Sequence, residues 1–253
     1  MNTKKTAATL AMASLGIAAA QAAIISVNLT DGGGGFGNAD ITEKAGVIEA
    51  GGWETASASG AKNDTNLSAL RADDDGSLVT TTATMTISSG FGGYYNGASG
   101  FNTATALYSN NMMTNFMETG TNTGGTIGFT NLNASVGTTY DVYVYMRRPF
   151  GNTGAISVTV DGTTKWIEPQ HSAGPFLEAD YATQAEAQVD PNNGGHYILF
   201  SGVTSDSIDI VLGDNAGGRV GINGIQIVEA VPEPSAAALL GLGGVALILR
   251  RRK

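Results

Sequence analysis

Few side chains in this sequence are suited to catalysis. There is no cysteine, so thiol nucleophiles and thiolate metal sites are excluded. The two histidines are not accompanied by a G-x-S-x-G or an H-E-x-x-H motif, which argues against a serine hydrolase and a zinc protease. His196 begins an apolar strand pattern and is interpreted as a strand-edge residue, and His171 lies in a loop beside Pro169 and Pro175 and is interpreted as a solvated residue.

Carboxylates are numerous, and they leave two alternatives open. A pair facing each other across a cleft could hydrolyse a glycosidic bond, and Glu178 with Asp180 or Glu49 with Glu54 fit equally well. Oxygen ligands near strand ends could also hold Ca²⁺, although solvated turns are the simpler interpretation. No other cofactor is predicted, because the glycines at residues 32–35 are not followed by the Gly-Lys-Ser/Thr of a phosphate loop. The candidate calcium ligands are Asp206, Asp209, Asp214 and Asn215.

Sugar binding requires aromatic faces for stacking and planar polar groups that hydrogen-bond to hydroxyls. Two stretches combine them: a glycine-aromatic loop after residue 90, and the end of a predicted strand near residue 147. Trp53 and Trp166 are alternatives, although each is better explained as a core or sheet residue. The candidate ligand-binding residues are Phe91, Tyr94, Tyr95, Arg147, Arg148 and Phe150.

The elements that would position these residues are short strands. Residues 78–88 alternate Thr with apolar residues, and residues 139–147 place Tyr140, Val142, Val144 and Met146 on one face and Asp141, Tyr143, Tyr145 and Arg147 on the other. The Asp161-Gly162 pair between alternating runs at 155–161 and 164–168 predicts a β-hairpin. Further strands are predicted at residues 23–29, 46–55, 66–71, 126–132, 195–201, 207–212 and 219–229, with an irregular insertion at 90–125 and a short helix near 179–188. This pattern predicts an all-β protein, an antiparallel β-sandwich with no long helix.

Both ends of the chain are predicted to lie outside this domain. Lys4 and Lys5, an apolar stretch at residues 7–20 and a small-x-small sequence ending at Ala22 indicate a secretory signal peptide, cut after Ala22. The sandwich then covers residues 23–230, and residues 231–253 form a separate tail. Six of the 13 basic residues and one of the 22 acidic residues lie in the two ends, so the part between them carries 21 acids and 7 bases, a charge of −14. Such a surface disfavours nucleic acid and anionic lipid as partners.

The tail has three parts in a fixed order. Pro232-Glu233-Pro234 cannot continue a helix, residues 235–249 form an uncharged apolar run, and Arg250, Arg251, Arg252 and Lys253 follow. The apolar run would be a helix in lipid, but it would reach only about 22 Å across a hydrocarbon core of roughly 30 Å. This length favours a processed signal over a permanent span, with an ordinary C-terminal membrane anchor as the alternative.

The tail resembles a PEP-CTERM sorting signal, the C-terminal tag on which exosortase-type membrane enzymes of Gram-negative bacteria act. The resemblance implies export, transient retention in the inner membrane through the apolar helix, and processing near the PEP motif. It also implies delivery to the cell surface or to an extracellular polysaccharide matrix such as that of a biofilm. The residues that carry it are Pro232, Glu233, Pro234, Arg250, Arg251 and Arg252.

The strand order over residues 126–229 resembles that of galactose-binding-like jelly rolls. It contains a TYDVYVY strand, the Asp-Gly hairpin, an I-D-I strand and a closing INGIQIVE strand. We therefore expect an exported, non-catalytic protein that serves as a structural or carbohydrate-binding component of the extracellular matrix. The alternatives are a polysaccharide-modifying glycoside hydrolase that uses a carboxylate pair, and an adhesin that binds other proteins.

Overall fold

The computed structural model describes residues 22–30, 44–57, 65–74, 76–88, 91–93, 113, 116–119, 124–147, 154–169, 176–189, 194–213 and 220–230. The strands in these ranges are β1 (Ile24–Thr30), β2 (Glu54–Ser57), β3 (Asn66–Leu67), β4 (Arg71–Asp74), β5 (Ser77–Thr80), β6 (Thr84–Ile87), β7 (Phe91–Gly93), β8 (Met117–Thr119), β9 (Gly125–Thr130), β10 (Tyr140–Arg147), β11 (Ile156–Val160), β12 (Thr163–Pro169), β13 (Gly194–Gly195), β14 (Tyr197–Val203), β15 (Ile208–Leu212) and β16 (Gly221–Glu229). Two short helices accompany them, α1 (Asn133–Val136) and α2 (Gln184–Val189).

The strands form two sheets, as the sequence predicts for a β-sandwich. The first sheet has the order β14-β10-β16-β1-β4-β5; β2 pairs with β1, and β8 and β7 extend from β16. The second sheet has the order β13-β12-β11-β15-β9-β6-β3. The described pairs are antiparallel except for β1 with β2 and β12 with β13. The prediction of an antiparallel β-sandwich is therefore confirmed.

The main core lies between the two sheets, where alternate side chains of each strand meet. Strand β10 contributes Tyr140, Val142, Val144 and Met146, all fully buried, which is the face that the alternation predicts. Strands β15 and β16 contribute alternating isoleucines to the same core. Each such side chain gains roughly 1.5–3 kcal/mol from burial, so this layer is the main source of stability in a chain without disulfides.

A second, smaller core covers the other face of the first sheet. Tyr143 and Tyr145 of β10 lie there, packed with Trp53, Phe176 and Tyr197. The sequence predicts this face correctly but not that it is buried. Strand β10 therefore has buried side chains on both faces, because the segments around residues 44–53 and 176–178 pack over its outer side.

A hydrogen-bond network ties this outer cluster to the sheet. The Tyr145 hydroxyl donates to Gln226 Oε1 and accepts from the backbone N–H of Val47 at 2.8 Å. Gln226 Nε2 in turn donates to Ser26 Oγ at 3.2 Å and to the Ile48 carbonyl at 2.9 Å. The network connects β10, β16 and β1 with the covering segment, so the buried polar atoms of Tyr145 and Gln226 are satisfied.

The predicted strand at residues 78–88 is wrong in one respect: it is two strands in different sheets. β5 belongs to the first sheet and β6 to the second, with a break at residues 81–83. At the break, the Thr81 hydroxyl donates to the Leu70 carbonyl at 2.7 Å and accepts from the Ala83 N–H at 3.1 Å. Backbone hydrogen bonds from the Thr81 N–H to the Leu70 carbonyl at 2.9 Å and from the Leu70 N–H to the Ala83 carbonyl at 3.0 Å lie at the same point. The chain passes from one sheet to the other while bonded to Leu70.

The other differences are smaller. The predicted strand at 46–55 begins only at Glu54, because Ala45 and Ala50 close a turn with two backbone hydrogen bonds of 3.1 Å. The segment 66–71 is divided between β3 and β4 around Ala69, whose φ is 56°. Among the described residues, no helix is long and apolar enough to cross a membrane. Residues 1–21 of the predicted signal peptide and residues 231–253 of the tail lie outside the described residues.

Replacing Tyr145 with Phe should lower the free energy of unfolding by about 1–3 kcal/mol, because Gln226 Oε1 and the Val47 N–H lose their common buried partner. Tyr143→Phe is the matched control, since it removes a hydroxyl from the same face of β10 without taking a partner from Gln226. Denaturant unfolding at neutral pH measures both. Equal losses for the two variants would show that the network contributes nothing specific.

The same substitution should change the response to alkali. Burial raises the pKa of Tyr145 well above its ordinary value. A pKa that is raised in the folded state stabilises the protein below the unfolded-state value of about 10, and this contribution is lost as the pH rises above it. Between about pH 10 and 12, the wild-type protein should therefore lose stability more steeply than Tyr145→Phe, as measured by unfolding at a series of pH values.

Candidate functional site

The predicted sugar-binding residues are only partly described. The Phe91 ring is buried in the inter-sheet core, where it lies against Gly125. Arg147 is the last residue of β10 and pairs with Gly221 of β16. Strands β8 and β16 lie between β7 and β10, so these two residues belong to the same sheet but not to neighbouring strands. Tyr94, Tyr95, Arg148 and Phe150 lie outside the described residues, and the set stays a prediction.

The predicted calcium ligands that are described have separate positions. Asp206 is exposed and binds the N-terminus of α1 through two hydrogen bonds. Its carboxylate accepts a hydrogen bond from the Asn133 N–H at 2.9 Å, and its backbone carbonyl accepts one from the Leu132 N–H at 3.0 Å. Asp209 is exposed on β15, opposite Gly128 of β9. Within the described ranges, no group of three or more His, Asp or Glu side chains is arranged to hold a metal ion. Asp214 and Asn215 lie outside those ranges, and calcium binding stays a prediction.

Three of the four carboxylates considered for hydrolysis, Glu178, Asp180 and Glu54, have other partners. Glu178 accepts a hydrogen bond from the Tyr197 hydroxyl at 3.3 Å, whereas Asp180 forms an ion pair with Lys165 at 2.6 Å. Glu54 of β2 pairs with Arg71 of β4. Each of these three carboxylates thus interacts with a different neighbouring side chain.

His196 is buried beneath the outer aromatic cluster. Its Nδ1 accepts a hydrogen bond from the Leu177 N–H at 3.1 Å, and the centres of its ring and the Phe176 ring lie 6.3 Å apart in an edge-to-face arrangement. Nearby, burial and then the Glu178 carboxylate raise the pKa of Tyr197 to about 12. The tyrosine is therefore a neutral hydrogen-bond donor at physiological pH, and His196 serves the packing of this region.

An open groove of about 300 Å³ lies where the edges of the two sheets meet. One wall is the β11–β12 hairpin of the second sheet, and the other is the end of β14 in the first sheet. Buried apolar side chains form its floor and polar groups form its rim. The floor residues are Val160, Phe200 and Val203, and the rim residues are Asp161, Thr163, Lys165, Ser201 and Gly202. We call this feature the β12–β14 groove.

The turn between β11 and β12 determines the conformation of the hairpin that forms one wall of the groove. Asp161 and Gly162 have φ values of 48° and 76°, and positive φ at both central residues is what a type I′ turn requires. The two strands continue in register from this turn, with Val160 opposite Thr163. The Asp-Gly pair is therefore the local cause of the hairpin, and it places Asp161 and Thr163 at the mouth of the groove.

The opposite wall is a bulge in β14. The ladder between β10 and β14 slips by one residue, so that Ser201 and Gly202 together face Asp141. The Gly202 N–H donates to Asp141 Oδ1 at 2.9 Å, and Gly202 has a φ of 70°. A bulge of this kind re-aims the backbone at the edge of a sheet. Here it turns Ser201 and Gly202 toward the hairpin.

The charged groups of the groove are already oriented by neighbours. Lys165 Nζ lies 2.6 Å from Asp180 Oδ1 and 5.8 Å from the centre of the Phe200 ring. Asp161 Oδ1 accepts from the Ser205 hydroxyl at 2.7 Å. The rim therefore presents an ammonium donor, a carboxylate acceptor and hydroxyls on opposite sides of an apolar floor.

None of the groove residues was among the predicted site residues. Part of the signal was present in the sequence, since Asp161-Gly162 marks a tight turn. Gly202 follows directly on the strand predicted at 195–201, whereas the structure continues the strand to Val203 and makes this glycine an interior one, which marks a bulge. What the sequence does not show is that the Asp161-Gly162 turn and the Gly202 bulge, about 40 residues apart in the chain, come together in space.

The tail leaves the sandwich beside the start of the first strand. Glu229 ends β16 and its N–H donates to the Ala23 carbonyl at 2.9 Å. The following residue, Ala230, donates to the Thr139 carbonyl at 2.9 Å. The attachment points of the predicted signal peptide and of the tail are therefore adjacent, at the same end of the β1–β16 pair.

Comparisons with known proteins bear on the tail and not on the groove. Residues 230–253 match the family model described as a PEP-CTERM protein-sorting motif. The motif and the sandwich together define an exported, envelope-associated β-sandwich protein sorted by an exosortase-type membrane enzyme. A search of curated proteins finds no match.

Among solved structures, an exo-β-1,3-galactanase from Phanerochaete chrysosporium with galactose is similar over 62% of this chain, with 10% identity and a TM-score of 0.29. The chain spans about a third of that protein, since 32% of the galactanase is covered. A similarity this weak carries no conclusion about activity or ligand.

Substituting Gly202 with Ala should destabilise the sandwich by about 1 kcal/mol, because a side chain is strained at its φ of 70°. The space around Gly202 is open, so no clash adds to this cost. Ser201→Ala is the control, since it alters the same bulge at a residue without positive φ. Denaturant unfolding compares them, and a Gly202→Ala variant as stable as Ser201→Ala would show that the bulge tolerates another backbone conformation.

Proposed function

We propose that this protein is a non-catalytic component of the cell surface or extracellular matrix, and that its sandwich binds neutral carbohydrate in the β12–β14 groove. The observation that carries the first half is the position of the sorting motif, which begins where the last strand ends. The sandwich is thus the part of the chain that export delivers. The groove supports the second half.

The chemistry of the groove suits a sugar. A sugar ring offers hydroxyl groups that both donate and accept, together with apolar C–H surfaces. Lys165 can donate to such hydroxyls, Asp161 can accept from them, and Thr163 and Ser201 can do either. The volume of about 300 Å³ is at the lower end of the range for small-ligand sites, which favours one or two sugar units.

The charge of the protein favours a neutral glycan over an acidic one. The domain between the two predicted signals carries 21 acids and 7 bases, so an anionic polysaccharide would approach against a repulsive field. The Lys165 ammonium would not reverse this, because Asp180 already pairs with it at 2.6 Å. The groove is therefore a mixed polar surface and not a positive one.

The same contacts support binding without catalysis. Glycoside hydrolysis uses an acid and a second carboxylate on either side of the scissile bond. Asp161 is the groove's own carboxylate, and Asp180 beside it is committed to Lys165. A hydrolase and a protein-binding adhesin remain the alternative functions, and the glycan experiment below separates them from the proposal.

Lys165→Met and Asp161→Asn should each weaken glycan binding about 5- to 30-fold, the loss expected when a charged hydrogen-bond partner is removed or neutralised; asparagine is chosen at 161 because it tolerates the positive φ of the turn. Lys44→Met is the matched control, because Lys44 is exposed and is not part of the groove. Titration calorimetry with a panel of neutral and acidic oligosaccharides measures the affinities. Binding that is unchanged in both groove variants, or no binding to any member of the panel, would contradict the proposal.

The products of the same incubations identify the alternatives. Shortened oligosaccharides would favour a hydrolase. Retention of partner proteins in the absence of any glycan affinity would favour an adhesin. We expect the oligosaccharides to bind, to remain uncleaved and to be displaced by a free sugar.

Processing at the tail is a second testable part of the proposal. Glu233→Ala, within the Pro232-Glu233-Pro234 motif, should leave the tail uncut, because the enzyme would lose its recognition sequence. In a host that contains an exosortase, intact-mass measurement should then show the tail retained and the protein in the membrane fraction. Asp209→Ala, an exposed acid on β15, is the control that should be processed normally. A wild-type protein that itself keeps residues 231–253 would instead indicate a permanent anchor.

A further inference from the structure

We propose that removal of the predicted signal peptide after Ala22 creates an N-terminal ammonium on Ala23 that pairs with the Glu229 carboxylate. This ion pair would link β1 to the end of β16, directly before the sorting motif begins. The inference concerns maturation of the protein and does not depend on carbohydrate binding.

The geometry of the pair is already present in the full chain. The Ala23 nitrogen donates to Glu229 Oε2 at 3.2 Å, and the Glu229 N–H donates back to the Ala23 carbonyl at 2.9 Å. The two residues continue the antiparallel ladder in which Ile24 faces Val228. The Ala23 nitrogen is therefore held beside a carboxylate by the backbone pairing itself.

Cleavage would change the charge of this nitrogen without moving it. A leader peptidase of the export machinery hydrolyses the Ala22–Ala23 peptide bond: the hydroxyl of water bonds to the Ala22 carbonyl carbon, and a proton goes to the Ala23 nitrogen. At neutral pH the freed amine takes up a further proton from solvent. The hydrogen bond from a neutral N–H to the Glu229 carboxylate thereby becomes an ion pair in which donor and acceptor are both charged.

The ladder is compatible with a cut at this bond. The Ala23 carbonyl remains bonded to the Glu229 N–H after cleavage, and strand β1 begins one residue later at Ile24. Ala22 contributes only a partly buried methyl group at the margin of the outer aromatic cluster. Its removal leaves the rungs of the β1–β16 pair intact.

Two further carboxylates lie one position along the neighbouring ladders. On β4, Asp73 lies opposite Ile24; on β10, Asp141 lies opposite Val228. Side chains alternate between the two faces of a sheet, so both carboxylates lie on the face of Ile24 and Val228, whereas Glu229 lies on the face of Ala23. Since α1 carries no charge, Glu229 is the carboxylate that the described elements place beside the Ala23 nitrogen.

The test begins with the exported product of the full chain, made with its own signal peptide in a bacterium and solubilised in detergent. N-terminal sequencing identifies the first residue, which is expected to be Ala23. Reductive ¹³C-dimethylation, which preserves the positive charge, then allows the pKa of the N-terminal amine to be followed by NMR. We expect a pKa about 0.5 unit above the ordinary 7.7–8.0.

Two variants test whether the raised pKa of the Ala23 amine is due to Glu229. Glu229→Gln keeps an oxygen acceptor for Ala23 but removes the charge, so the amine pKa should return to its ordinary range. Glu49→Gln removes an exposed acid in the turn before β2 and should leave the pKa raised. The methyl resonances of the core report whether each variant is folded.

Two results would overturn the inference. A first residue other than Ala23 would show that the ammonium forms elsewhere in the chain. An amine pKa that is the same in the wild-type protein and in folded Glu229→Gln would show that no ion pair forms. A shift that disappears only in Glu229→Gln supports it, whether or not the protein binds any glycan.

Discussion

The pairing of the first strand with the last one is the constraint on which the rest of the structure depends. Strand β16 lies between β1 and β10, and its residues are buried along nearly its whole length. The centre of the first sheet therefore cannot form until the last strand of the domain is available. Contacts with such large sequence separation form late and slowly. A chain exported as an extended polypeptide would therefore complete this sheet only after β16, which directly precedes the sorting motif, had crossed the membrane.

This central position also explains how an exported protein is stable without disulfides. The strands β1, β10 and β16 have one face in the inter-sheet core and the other under the smaller cluster around Tyr145 and Trp53. Burial on both faces is unusual for antiparallel strands, which commonly leave one face to solvent. It places buried polar atoms inside the outer layer, and the hydrogen bonds of Tyr145 and Gln226 satisfy them. Apolar burial on two sides supplies stability that many small extracellular domains obtain from covalent cross-links.

The sequence predicts those parts of the fold that depend on neighbouring residues. The alternation in β10 and the Asp161-Gly162 turn are local, and the structure confirms both. The break at Thr81 depends on a more distant contact, because the Thr81 hydroxyl bonds to the Leu70 carbonyl, 11 residues away in the chain, as well as to the nearby Ala83 N–H. In the sequence this threonine is indistinguishable from the threonines of a strand. Period-two alternation reports which side chains share a face; it does not report what covers that face. For this reason Tyr143 and Tyr145 could be placed together from sequence but not recognised as buried.

The groove could not be predicted because its walls come from distant parts of the chain. The Asp161 turn and the Gly202 bulge each have a sequence signal, yet only the order of strands in the two sheets brings β12 next to β14. Asp141 links the groove to the centre of the molecule: it lies on β10, which pairs with β16 on one side and with the bulged β14 on the other. The strand that is buried at the centre of the sheet thus also sets the shape of the edge. Because β16 pairs with this strand and then leads into the sorting motif, the bulge that shapes the groove and the start of the tail lie at the same end of the β10–β16 pair, where Asp141 faces Val228.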